Sequence, residues 1–117
     1  SRLTIDRGVY GRLGSGCDTT DCTAGVIAGE LVGIFDAQPR DPVTGGLSRD
    51  PLVSTTTDGV GFYELDVAPG HYWVAWIARG TGGTLVIQTN VGELDVVGLE
   101  RLDFSSGPGG GRWYPVD

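Results

Sequence analysis

Thr55-Thr56-Thr57-Asp58-Gly59-Val60-Gly61-Phe62-Tyr63-Glu64-Leu65-Asp66-Val67, followed without a gap by Ala68-Pro69-Gly70-His71-Tyr72-Trp73-Val74, reads as β-rich runs broken by two turns. The threonine triplet favours strand, because β-branched side chains fit a pleated surface. Asp58-Gly59 supplies the positive φ that a tight turn needs. Pro69 presets one corner and Gly70 frees the next. Side chains alternate along a strand, so Tyr63, Leu65 and Val67 share one face, and Tyr72, Val74 and Trp76 continue that buried face. Phe62, Glu64 and Asp66, with His71, Trp73, Ala75 and Ile77, then take the opposite side. The Ala68-Pro69-Gly70 turn is expected to close a hairpin in which Phe62 opposes Ile77 and Asp66 opposes Trp73.

Outward from this stretch, further strands are expected over 3–13, 30–37, 52–57, 62–67, 71–78, 84–89 and 94–104, the last bent at Gly98. The connection from Gln38 to Gly46 is polar and rich in proline and glycine, so it reads as a surface loop. Glycine, threonine and valine interrupt every window that could form an amphipathic helix. Seven short strands with turns every ~8–12 residues predict an all-β fold, a seven-stranded Greek-key β-sandwich over residues 1–104 with no substantial helix. The glycine-rich tail, 105–117, is expected to be extended or docked loosely on the sandwich.

With 117 residues, 39% of them apolar, the chain suits one domain with a buried core. Its 21 glycines are scattered without a triplet period, as turns require and collagen does not. The formal charge is −7, from 15 acids against 8 bases, and every base is arginine. No basic stripe is present to neutralise phosphates, which argues against nucleic acid, and an anionic membrane surface would repel the chain. No stretch approaches the ~18 apolar residues of a membrane-spanning helix. Cys17 and Cys22 flank a short polar segment within 14–25; with His71 far away they do not complete a zinc site, and a local disulfide is the expected pairing. Its entropic gain falls below the ~3 kcal/mol of a 15-residue loop, so it shapes the loop more than it holds the fold. A persistent disulfide implies the periplasm, the cell surface or the medium. The start at Ser1 and the absence of methionine are expected of a processed chain, compatible with a lipid anchor upstream.

The stretch from Thr55 to Leu65, with Ala68 to Val74, resembles the carboxypeptidase regulatory-like domain, whose core motif runs T-D-x-x-G-x-F/Y-x-L … P-P-G-x-Y-x-V. Ala68 replaces the first proline here. The specific part covers 55–74, and a looser likeness extends over roughly 4–104. The resemblance implies a transthyretin (prealbumin-like) sandwich in which Asp58, Gly59, Gly61, Pro69 and Gly70 are fold-motif turns. The Cys-x4-Cys loop and the Gly-Pro-Gly-Gly-Gly-Arg-Trp tail together resemble small bacterial cell-envelope lipoproteins. Such residues mark a fold and not a chemistry.

Enzymes on similar sandwiches need groups this chain lacks. Transthyretin-related hydrolases use more than one histidine, and intradiol dioxygenases bind iron through two tyrosines and two histidines; His71 is the lone histidine. A Ser-His-Asp triad would have to use His71, which follows directly on a turn and reads as an exposed strand-edge side chain. No nucleophile elbow or phosphate loop occurs. The 15 acids offer many carboxylate pairs, but they fall in turns or alternate along strands, as solvated acids do. No enzymatic activity and no cofactor are therefore expected. The aromatic sheet face of Phe62, Trp73 and Ile77 is the expected binding face, for a protein partner at the cell envelope or, alternatively, for carbohydrate. Asp18 and Asp21 in the cysteine loop, or Asp36, Asp41 and Asp50, are the candidate calcium ligands, against the commoner role of such aspartates in Asx-turns.

Overall fold

A computed structural model describes residues 3–15, 25–79, 81–87, 90–106 and 111–116. Within them, two sheets pack face to face in an all-β sandwich of nine strands: β1 (Gly8–Ser15), β2 (Leu31–Phe35), β3 (Val53–Thr56), β4 (Phe62–Leu65), β5 (Gly70–Arg79), β6 (Leu85–Ile87), β7 (Gly92–Val96), β8 (Leu99–Ser106) and β9 (Arg112–Val116). The only helical turn among the described residues is a 3-10 turn at Thr81–Gly83. The four-stranded sheet has the order β4-β1-β8-β9, and the other runs β3-β2-β5-β6 with β7 also on β5. The ten residues of β5 are long enough to hold two partners side by side, β7 along Gly70–Val74 and β6 along Ile77–Arg79.

The alternation read from the central stretch places its side chains correctly. Tyr63, Leu65, Val67, Val74 and Trp76 all enter the core between the sheets, with Tyr72 packed against it. The Asp58 turn forms through its own carboxylate, which accepts from the amides of Val60 at 2.9 Å and Phe62 at 3.0 Å. Gly61 follows at φ 77°, where a side chain would also strike the Leu13 carbonyl oxygen at 2.4 Å.

Three expectations are corrected. The strands flanking Ala68-Pro69-Gly70 do not pair: β4 pairs β1 and β5 pairs β2, so the chain crosses from one sheet to the other there. A proline–glycine turn dictates a change of direction but not the partner strand, and buried Val67 anchors the crossing into the core. The strand expected over 94–104 is two strands in different sheets. The break falls at Val97-Gly98, whose amides both donate to the Glu100 carboxylate at 3.1 Å. The strands number nine and not seven, because 94–104 divides and the tail, extended and docked on the sandwich over its described part, adds β9, which pairs antiparallel with β8 and brings the Trp113 ring to 4.5 Å from Phe104 and 6.0 Å from Tyr63.

Two features finish the architecture. The outer face of the five-stranded sheet carries a second apolar cluster, Phe35, Ala75, Ile77 and Ile87, with Trp73 and Leu47 packed on it. The 36–52 connection folds over that cluster: Leu52 donates its amide to Ile34 at 2.8 Å, Gly46 bridges to Val86, and Pro51 lies against Gly33. The second feature is a parallel pairing of β1 with β8, which is interrupted opposite Gly11 and Arg12. Side chains fill the interruption. The Arg12 amide donates to Asp103 Oδ1 at 3.0 Å, and the Tyr63 hydroxyl donates to the Leu102 carbonyl. Burial and the nearby Asp103 carboxylate hold the Tyr63 hydroxyl well above its ordinary pKa, with the Arg101 guanidinium opposing, so it stays a donor at any physiological pH.

Candidate functional site

The sheet crossing separates the candidate binding residues. Phe62 lies on the outer face of the four-stranded sheet, while Trp73 and Ile77 lie on the outer face of the other, at the opposite side of the sandwich. They do not form one surface, and Ile77 is only 1% exposed. Ile77→Ala is therefore expected to act as a core truncation, lowering the unfolding free energy by about 2 kcal/mol in chemical denaturation. A stable I77A protein would contradict the burial of this face. Cys17 and Cys22, with Asp18 and Asp21, lie outside the described residues. Asp41 forms an Asx-turn, accepting from the amides of Val43 at 2.8 Å and Thr44 at 3.2 Å. Among the described residues no group of three His, Cys, Asp or Glu side chains is placed to hold a metal ion.

His71 sits at the exposed start of β5 beside β7, edge-on to Trp73 at 4.8 Å. Its Nδ1 meets Asp95 at 2.5 Å and its Nε2 meets Glu93 at 2.5 Å. A triad histidine needs one ring nitrogen for the nucleophile, and here carboxylates occupy both. The hydrogen bonds to Asp95 and then Glu93 raise the His71 pKa, outweighing a small opposing effect of desolvation. The consequence for stability follows from linkage. Protonated His71 contributes fully below the ordinary histidine value of about 6.5, and the contribution is lost as pH rises through the higher folded-state value. The melting-temperature gap between the wild-type protein and His71→Gln should thus be widest near pH 5 and shrink toward pH 9. A gap independent of pH would contradict the clamp.

The outer face of the four-stranded sheet is the surface the sequence reading did not assemble. Strand pairing lines up Phe62, Arg12, Asp103 and Tyr114 in one row across β4, β1, β8 and β9, and Glu64, Tyr10 and Arg101 in the next. Tyr10 and Phe62 touch diagonally, with ring centroids 6.3 Å apart. Arg112 stands in the following row, opposite Ser105. Tyr10, Phe62 and Tyr114 are half-buried, as is Arg12, and Arg112 is exposed. Asp103 is fully buried beneath them and is held by Arg101 at 3.0 Å. Thr4 fastens the N-terminal segment to Glu64 at the β4 margin through its amide, at 2.8 Å, and its hydroxyl. Over this face the described residues contain no counterpart of the 36–52 cover. Signals for it were present in the sequence, since Tyr10, Arg12, Tyr114 and Arg112 alternate with buried positions, but they lie in segments far apart in the chain.

Compared with known proteins, the chain matches no family model, no curated protein and no solved structure.

Proposed function

We propose that this domain is a non-catalytic binding module of an exported protein at the bacterial cell envelope, on a transthyretin-like sandwich, and that it meets its partner through the outer face of the four-stranded sheet. The observation that supports this reading is the contrast between the two outer faces. One is covered by the 36–52 connection over Phe35, Ala75, Ile77 and Ile87, whereas the other presents Tyr10, Phe62 and Tyr114 around arginine side chains. Tyrosine and arginine dominate binding energy at recognition surfaces, because they offer large contact area at modest entropic cost and well-directed donors. The lone histidine, tied on both nitrogens to carboxylates, serves strand pairing in this reading and not proton transfer.

The test is a comparison of truncations on the two faces. Purified envelope polysaccharides and solubilised envelope proteins are screened against wild-type protein, Tyr114→Ala, Phe62→Ala and Trp73→Ala. Any binding found is expected to fall at least tenfold with Tyr114→Ala or Phe62→Ala and to survive Trp73→Ala. Loss with Trp73→Ala alone, in a protein that remains folded, would move the working surface to the other sheet.

A further inference from the structure

The charges on the open face are unevenly satisfied. Arg101 is paired with Asp103, and at the β4 margin Arg7 is paired with Asp66 at 3.0 Å. Among the described residues no carboxylate is paired with the guanidinium groups of Arg12 or Arg112, although the chain as a whole carries −7. Two arginines with no carboxylate partner among the described residues therefore sit on this aromatic face of an acid-rich molecule. Arginine's planar fork matches a carboxylate bidentately, and its stem packs beside aromatic rings.

The face is also small. Four strands ~4.8 Å apart and three side-chain rows ~6.8 Å apart make roughly 400 Å². A stable globular partner needs roughly 800 Å² on each side. A polymer laid across the strands needs no more than this strip, and flat ring faces suit the stacking of sugar rings. Arg12 and Arg112 are two strands and one row apart, about 12 Å between their Cα atoms. That separation suits a chain whose negative charges are spaced out. A densely charged one, such as a nucleic-acid strand with a phosphate every ~3.4 Å, would set unneutralised charges against an acidic body. At physiological ionic strength the Debye length is about 8 Å, so acids elsewhere on the domain are largely screened from a ligand on this face.

We infer that the ligand of this face is a sparsely carboxylated polysaccharide, with Arg12 and Arg112 each taking a uronate carboxylate, Tyr114 stacking on a sugar ring between them, and Phe62 and Tyr10 stacking on rings beyond Arg12. This inference rests on the binding-module reading and adds the chemical class of the ligand.

Hyaluronan oligosaccharides, with a carboxylate on every second sugar, are the probe, titrated by calorimetry at 0.15 M salt. Carboxyl-reduced hyaluronan and poly-glutamate serve as comparisons. Binding is expected to weaken about tenfold or more in the Arg12→Gln/Arg112→Gln double variant and to a similar extent with the carboxyl-reduced polymer. Arg49→Gln, which removes an exposed arginine elsewhere, should leave it unchanged. Equal binding of the carboxyl-reduced polymer would overturn the role of the charges while keeping the face. Tighter binding of poly-glutamate would overturn the sugar in favour of an acidic protein. Failure of the wild-type protein to bind hyaluronan would overturn the inference outright. Binding that ignores the double variant and Tyr114→Ala but is lost with Trp73→Ala would overturn both the inference and the reading beneath it.

Discussion

Gly11→Ala is expected to destabilise the domain by about 4 kcal/mol, above the usual 1–3 kcal/mol for an added methyl group in a packed site. A Cβ at this position would lie 2.0 Å from the Leu102 carbonyl oxygen and 2.9 Å from Asp103 Oδ1. The first of these atoms belongs to the backbone of the neighbouring strand, so no rotamer change relieves the clash. The parallel β1–β8 pair would have to separate, and with it the bond from Tyr63 to Leu102 and that from the Arg12 amide to Asp103. For a domain of this size such a loss lowers the melting temperature by roughly 15 °C. Denaturant titration of the variant measures it directly, and a loss below 1 kcal/mol would show that the strands are not this close.

Asp103→Ala carries the second large effect, about 3 kcal/mol. Removing one member of a buried pair typically costs 3–5 kcal/mol. Arg101, at 30% side-chain exposure, can partly rehydrate and keeps the figure at the low end. The remainder comes from the Arg12 amide, which loses its acceptor inside the sheet. Asp103→Asn retains a carbonyl oxygen for that amide while giving up the ion pair, so it should fall between wild type and alanine. If asparagine and alanine were equally destabilising, the backbone acceptor role would be wrong. If neither destabilised, Asp103 would be a surface acid.

Asp103 also shows where a sequence stops informing. In Arg101-Leu102-Asp103-Phe104 it alternates with apolar residues and reads as a solvated position. Its burial comes from a β1–β8 pairing 91 residues apart in sequence, and no local pattern specifies such a partner. The same limit governs the central stretch. Period-2 alternation fixed which side of each strand faces the core, and Tyr63, Leu65, Val74 and Trp76 all obey it. The turn at Asp58 lies where Asp58-Gly59 placed it, but the positive φ falls at Gly61 and not at Gly59, and the Asp58 carboxylate holds the loop by accepting from Val60 and Phe62. The turn at Pro69-Gly70 misled, because it marks a corner without saying which strand lies beyond. Once β4 and β5 part, Phe62 goes to one outer face and Ile77 to the other. The 36–52 connection has the composition of a surface loop and is one on its outer side, yet its Leu47 closes an apolar cluster. The open face draws on β1, β4, β8 and β9 together, so its aromatic and arginine side chains become neighbours only after the sheet is assembled.

The two outer faces predict different contacts with the ligand. The direct measurement is an amide chemical-shift map of the 15N-labelled protein during a titration with hyaluronan oligosaccharides. The expected result is a contiguous set of shifts at Tyr10, Arg12, Phe62, Arg101 and Tyr114, with Trp73, Ile77 and Ile87 unmoved. Shifts centred on Trp73, Ile77 and Ile87, with the four-stranded sheet silent, would contradict it.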